Sequence, residues 1–231
     1  MVLEPPAREA SRARGGADLG NPRFLRRVPR AGGVPLMLPD RPARTPDREA
    51  LTRAIADLLL ASGAELDAET RGTPERVAKA WVEDLLDGYG KDPVAALRSS
   101  LVPAPKKGEL VIVSQLDFHS MCPHHLLPYK GSAAVGYVAD RHLVGFGKIA
   151  EAVDALSHRL ILQENLVQRL CASVMEALQP LGAGVVITAE HACMQVRGPR
   201  RRQSRVSVEA WAGSFEKEPE LRASLARRAE G

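Results

Sequence analysis

From Asp47 onward, apolar residues recur with the period of a helix. Leu51, Ile55, Leu58 and Leu59 fall on one stripe, and Ser62-Gly63 stops the run. A second helix is predicted to open at Thr73-Pro74, with Thr73 as the cap and proline at the first helical position, where its missing N–H costs nothing. Val77, Ala80, Trp81 and Leu85 form its apolar stripe, and Gly88-Tyr89-Gly90 ends it. Residues 91–108, with Pro93, Pro103 and Pro105, read as a connection. The period then changes. Residues 110–114 and 133–138 are short runs rich in β-branched residues and predict strands. Helical spacing returns at Ile149, Val153 and Leu156, and again at Leu166, Leu170, Val174 and Leu178, where Pro180 and Gly182 close the element. Residues 184–189 predict a strand leading into His191 and Cys193. Residues 205–210 alternate as a further strand, and a short polar helix covers about 219–228. Helices first, then antiparallel strands interrupted by a helical pair, make an α+β chain.

Residues 1–45 have no such period. Eight of the chain's prolines lie in its first 46 positions and nine arginines in its first 44, so this segment is expected to be a disordered arm. Glu4, Glu9 and Asp18 and the density of proline argue against an amphipathic transit helix. Residues 46–231 are then one domain, with a helical part over 46–108 and a mixed part over 109–231. With 45% hydrophobic residues, this length can bury a sizeable core, but only 4% are aromatic, so that core is built from Ala, Val, Leu and Ile. The net charge of +4 is modest. A second arginine cluster, Arg197 to Arg205, suits an anionic substrate; without a recognition motif or stacking aromatics, nucleic acid is not the expected partner. No apolar run approaches the ~18 to 20 residues that cross a bilayer. Three cysteines cannot pair completely, and the expected setting is a reducing cytoplasm with free thiols.

Those thiols carry the chemistry. Cys122-Pro123-His124-His125 is answered by His191-Ala192-Cys193, and Cys193 follows His125 by 68 positions. Cys122, His125 and Cys193 offer three protein ligands and leave a fourth position for water, as catalytic zinc sites do. Two thiolates and an imidazole suit zinc better than magnesium or calcium, with iron the other metal to consider. Cys122 and His125 lie three apart, so their joint use requires a turn, which Pro123 favours. Cys193 is expected to arrive from a different strand. His124 and His191 lie beside the ligands and suit proton transfer. Cys171 sits on the apolar stretch of a helix and is read as core; His119, His142 and His158 are read as structural or surface residues.

The stretch from Phe118 to Gly131, FHSMCPHHLLPYKG, closely resembles the F-Y-S-M-C-E-H-H-L-L-P-F-x-G block of the GTP cyclohydrolase I family. Thr73-Pro74-Glu75-Arg76-Val77-Ala78, Val144-Gly145-Phe146-Gly147-Lys148-Ile149, Leu162-Gln163-Glu164, and Glu190-His191-Ala192-Cys193-Met194 with Arg197-Gly198 agree in order and spacing, so the resemblance covers roughly 48–228. It implies the tunnelling fold (T-fold), antiparallel sheet with paired helices, and a ring-shaped homo-oligomer, typically a decamer, with sites between subunits. It implies zinc on Cys122, His125 and Cys193, and proton transfer by His124 and His191. Glu164 would receive the guanine N1–H and 2-amino group, Gln163 would belong to the same purine pocket, and Lys148 and Arg197 would contact the triphosphate. The implied reaction opens the imidazole ring of GTP at C8, releases formate and recloses to 7,8-dihydroneopterin triphosphate, a step toward pterins and tetrahydrofolate.

The departures from the family pattern cluster at the phosphate end. The usual G-L-S-K-x-x-R reads Gly145-Phe146-Gly147-Lys148-Ile149-Ala150-Glu151, so a serine has become Gly147 and an arginine Glu151. At about 6 Å and an effective dielectric near 20, a like-charge pair costs roughly 2 to 3 kcal/mol. The acid between the cysteine and the histidine pair is Pro123. R-P-Q-x-Q-E reads Arg159-Leu160-Ile161-Leu162-Gln163-Glu164, and the Thr/Ser-rich strand expected near the end reads Ser204 to Glu209. Either Arg200, Arg201, Arg202 and Arg205 replace the lost phosphate contacts, or the substrate is a purine nucleotide with fewer phosphates or the product differs. A purine-binding zinc scaffold without turnover is the third reading, and the presence of both His124 and His191 weighs against it.

Overall fold

The computed structural model describes residues 46–64, 67–198 and 200–230. The expected arm over 1–45 therefore lies outside the described residues. The first helix, α1 (Arg48–Ala61), is capped by Asp47, whose carboxylate accepts from the Ala50 N–H at 3.0 Å. It packs on α2 (Thr73–Ala80). The cap of α2 is Gly72 rather than Thr73; Thr73 is the first helical residue, and its hydroxyl accepts from Arg76 instead of a backbone N–H. A π-turn over Trp81–Leu85 and a 3₁₀ turn over Asp87–Gly90 finish this part.

The expected connection over 91–108 is partly structured. Asp92 accepts from the N–H groups of Val94 and Ala95 and starts α3 (Pro93–Arg98), and β1 (Leu101–Pro103) follows. Asp-Pro is a cap followed by proline at the first helical position, a start signal eclipsed by the prolines after it. The predicted strands are real and longer than their β-branched cores: β2 (Leu110–Met121), β3 (Pro128–Val138), and, after the unpredicted β4 (His142–Val144), β5 (Gly182–His191) and β6 (Val206–Gly213). The order β2-β3-β5-β6 is antiparallel throughout, and β1 pairs with β4. Between β4 and β5 lie α4 (Phe146–Ser157) and α5 (Gln163–Leu178), the paired helices that the periodicity predicts. Short α6 (Ala192–Gln195) and α7 (Ser214–Lys217) and a C-terminal α8 (Pro219–Ala229) complete the chain.

Strand alternation divides the core. Ala133, Val135, Val185, Ile187 and Ala210 face α4 and α5 in the main cluster, and Ala134 and Val186 face Phe215 and Leu225 on the opposite side. Burial of α5 (Leu166, Leu170, Val174 and Leu178 all near zero exposure) fixes its N-terminus against the sheet. No helix among the described residues is long and apolar enough to cross a membrane.

The β3–β5 contact has no room for a side chain at Gly131, where a Cβ would sit 1.9 Å from the Thr188 carbonyl oxygen and 2.7 Å from the Ala189 Cα. Both atoms are backbone and cannot swing aside. Gly131→Ala is expected to force the strands apart and cost about 1–3 kcal/mol, as overpacking does. Denaturant titration of the two proteins checks this; an unchanged midpoint would show that the pairing can yield.

Candidate metal centre

The β2–β3 hairpin ends in the loop 122–127, which carries two of the candidate ligands. Its ends are tied by the Cys122 N–H donating to the Leu127 carbonyl at 3.0 Å and the Leu126 N–H donating to the Cys122 carbonyl at 2.9 Å. Leu126 takes a φ of +52°, in the left-handed region that a branched side chain rarely enters. The loop thus supplies the turn that brings Cys122 and His125 to the same side, with Cys122 Sγ 4.0 Å from His125 Nδ1. Strand register supplies the third ligand. Tyr129 of β3 pairs with His191 of β5, so the chain leaving β5 passes the loop. Cys193 then sits in α6, the short helix after the strand, rather than on a strand. The ligand atoms of Cys122, His125 and Cys193 all lie within 4.8 Å of one another.

The chemistry of this donor set fits a soft divalent cation. Burial, then the neighbouring Cys122, pushes the Cys193 thiol above its ordinary range, opposed in part by the Arg197 guanidinium. A cation held between the two sulfurs would favour the Cys193 thiolate again. Cys122 is buried, Cys193 half-buried and His125 exposed, so the cluster is open on its histidine side. Cys171 lies apart on α5; burial lifts its thiol to about 12, as suits a core residue.

Hydrogen bonds and a ring stack tie the start of α5 to the loop and to the end of β5. The Ile161 N–H donates to the Met121 carbonyl, and Met121 bridges to Leu160, which seats the start of α5 beside the metal loop. Gln163, at 2% exposure, opens α5; its Nε2 donates to the Ile187 and Val206 carbonyls at 2.9 Å each. Its Oε1 lies 2.8 Å from His191 Nε2. The His191 ring stacks on Tyr129 with centroids 4.7 Å apart and planes 9° from parallel. Tyr129 in turn donates to the Ile161 carbonyl at 3.0 Å, and burial raises its phenol to about 12, so it stays protonated. Burial lowers the His191 pKa below its ordinary 6.5, against the pull of the Glu164 carboxylate. Glu164, next in α5, is exposed.

The remaining predicted residues are placed less uniformly. His124 is exposed, its ring edge-on to His125 at 6.2 Å. Arg197 is exposed in the turn after α6, close enough to act on Cys193. Lys148 sits at the start of α4 and binds Glu151 through both carboxylate oxygens, at 2.6 and 2.8 Å, rather than any metal-site residue. A Cβ at Gly147 would meet nothing within 4 Å, so packing does not exclude the serine expected there. Arg205 is exposed and paired with Glu190 at 3.1 Å, and Arg200, Arg201 and Arg202 are exposed beside it. Of the histidines read as structural, His119 stacks on His158 at 4.3 Å, and His158 binds Asp87 at 2.7 Å. Tyr129 was not singled out by sequence reasoning; its only signal is its register position opposite His191. A cavity of about 720 Å³ lies elsewhere on the sheet, lined by Asp117, Lys130, Ser132, Thr188, Glu190 and Arg205, and includes none of the metal ligands.

The sequence pattern of the GTP cyclohydrolase I family matches residues 51–230. The GTP cyclohydrolase 1 of Chromobacterium violaceum is 40% identical over 185 residues, covering 80% of this chain and 89% of that protein. The GTP cyclohydrolase 1 of Deinococcus radiodurans is 37% identical over 204 residues, covering 88% and 90%. Among solved structures, the archaeosine synthase QueF-Like in the apo form aligns with 47% of this chain and 97% of its own, at 22% identity and a TM-score of 0.40. Because the family match takes in the metal loop, the start of α5 and the end of β5 together, this chain belongs to the GTP cyclohydrolase I family.

Proposed function

We propose that this chain is a zinc-dependent GTP cyclohydrolase I that converts GTP and water to formate and 7,8-dihydroneopterin triphosphate. The observation that carries the reading is the convergence of Cys122, His125 and Cys193 within 4.8 Å, with His191, two residues before Cys193, bonded to Gln163. When bound by these three residues, zinc supplies a Lewis acid able to lower the pKa of a water from 15.7 toward about 7. The protein's own groups do the rest. Glu164 accepts from guanine N1–H and the 2-amino group, a bidentate fit to a carboxylate. His191 and His124 move protons at N7 and the ribose oxygen, neither of which leaves well as an anion. Gln163 backs the purine pocket, and Lys148 and Arg197 contact the phosphates.

Self-association into a ring, with ten subunits as the family norm, belongs to the same proposal. Leu58, Leu60, Phe146 and Val196, each about three-fifths or more exposed, are the side chains that such an assembly would cover. Free Cys122 and Cys193 fit work in a reducing cytoplasm.

The Lys148–Glu151 pair favours a second reading, in which the nucleotide carries fewer phosphates. The departure at residue 151 now reads differently: Glu151 neutralises the lysine that the phosphates need, besides repelling them. The test is to incubate purified, zinc-loaded protein with GTP, GDP and GMP, measuring formate and the pterin fluorophore after oxidation. Formate from none of them, with metal bound, would overturn the enzyme reading. In the same assay Glu151→Gln is expected to free Lys148 and lower KM for GTP several-fold, roughly what an exposed ion pair of up to about 1 kcal/mol allows. An unchanged KM would show that Arg200, Arg201 and Arg202 already serve the phosphates.

A further inference from the structure

The side chain of Gln163 is wholly occupied within the protein, and its pattern of bonds has a direction. Its Nε2 lies 2.9 Å from two backbone carbonyl oxygens, those of Ile187 and Val206. Carbonyl oxygens only accept, so both must receive N–H from the amide nitrogen. The amide cannot be flipped without setting its oxygen against two other oxygens in a site that is 2% exposed. The amide oxygen is therefore fixed toward His191, whose Nε2 lies 2.8 Å away. An oxygen there accepts, so His191 Nε2 must carry the proton.

We propose that Gln163 is the positioning residue of this site: it locks the neutral His191 ring as the Nε2–H tautomer and leaves Nδ1 as the lone-pair nitrogen. The stack on Tyr129, itself anchored to the Ile161 carbonyl, holds the ring plane, and Gln163 sets rotation within that plane and the position of the proton. A histidine that must take and return a proton works through one defined nitrogen, and the hydrogen bond made by the other nitrogen decides which one. The start of α5 thereby controls the end of β5. Gln163 contributes through His191, while its neighbour Glu164 faces solvent and remains available to the purine.

The inference rests on the reading of His191 as a proton-transfer group, and the experiment separates the two. Zinc-loaded protein labelled with ¹⁵N-histidine is examined by magic-angle-spinning NMR, with the His191 signals assigned by their loss in His191→Asn. The expected spectrum has Nε2 protonated and Nδ1 bare in the unsubstituted protein, and mixed tautomers in Gln163→Met. A proton on Nδ1 in the unsubstituted protein overturns the proposal without any turnover being measured. In formate release from GTP, Gln163→Met is expected to lower kcat by roughly 10- to 100-fold, the usual cost of losing such a partner, with KM nearly unchanged. In a His191→Ala background the same substitution should have almost no further effect. Full additivity, or a raised KM with unchanged kcat, would make Gln163 an independent structural or substrate-binding group and overturn the proposal. If the unsubstituted protein releases no formate at all, the cyclohydrolase reading fails while the tautomer spectrum still decides the role of Gln163.

Discussion

Cys193→Ala is expected to lose its zinc and to release formate at least roughly 1000-fold more slowly than the unsubstituted protein. The candidate site offers three protein ligands, so losing one would leave a buried thiol and an exposed imidazole, too few to hold a catalytic zinc with an open position. What disappears with the metal is the descent of a water's pKa from 15.7 toward about 7, far more acidity than any side chain here can replace. Cys171→Ala is the matched control. That thiol is buried on α5 and donates to the Ala183 carbonyl at 3.7 Å, so its removal should leave metal content and turnover intact and cost only some stability. Elemental analysis after gel filtration, beside the formate assay, reads both. Stoichiometric zinc retained by Cys193→Ala, or lost by Cys171→Ala, would mean that the metal sits elsewhere.

His191→Ala should do the reverse: keep the metal and lose the chemistry. Roughly 10²- to 10⁴-fold in kcat is the range for removing a positioned proton-transfer group. The residue precedes the ligand Cys193 by two positions, yet its ring is held by contacts independent of the metal, the Tyr129 stack and the Gln163 bond. Burial lowers its pKa below 6.5, so near pH 7 the ring is neutral and can accept a proton. KM for GTP should change little. A loss of less than about tenfold at full zinc occupancy would assign the proton transfer to His124 alone. Together with Cys193→Ala, this variant separates metal binding from proton handling, two functions packed into three consecutive residues.

Much of this was legible in the chain. Helical periods at 149–156 and 166–178 predicted α4 and α5, because each helix buries one continuous stripe against the sheet and the stripe repeats in sequence. The strands were recognisable only in their apolar middles. Their ends, such as 115–121 and 128–132, are polar or irregular, and cross-strand hydrogen bonds rather than side-chain pattern keep them extended. The bulge at Gln115, with a φ of +58°, breaks the alternation that would otherwise have marked β2 as one strand. Helix α3 was hidden because six residues carry too little period to read.

The site divides along the same line. Sequence by itself singled out the candidate donor atoms, since the kinds and spacing of Cys122, His125 and Cys193 suit a soft metal, and ligand chemistry is local to a side chain. It also determined the family, because five motif blocks in order are a pattern that folding need not reveal. Tertiary structure alone decided that the Gln163 amide reaches His191 and that Tyr129 lies under the same ring; the Lys148–Glu151 pair, three residues apart on one helix, is local. Partners and orientation depend on strand register and helix placement, which bring residues 28 and 62 positions apart into contact through hydrogen bonds that no local pattern encodes.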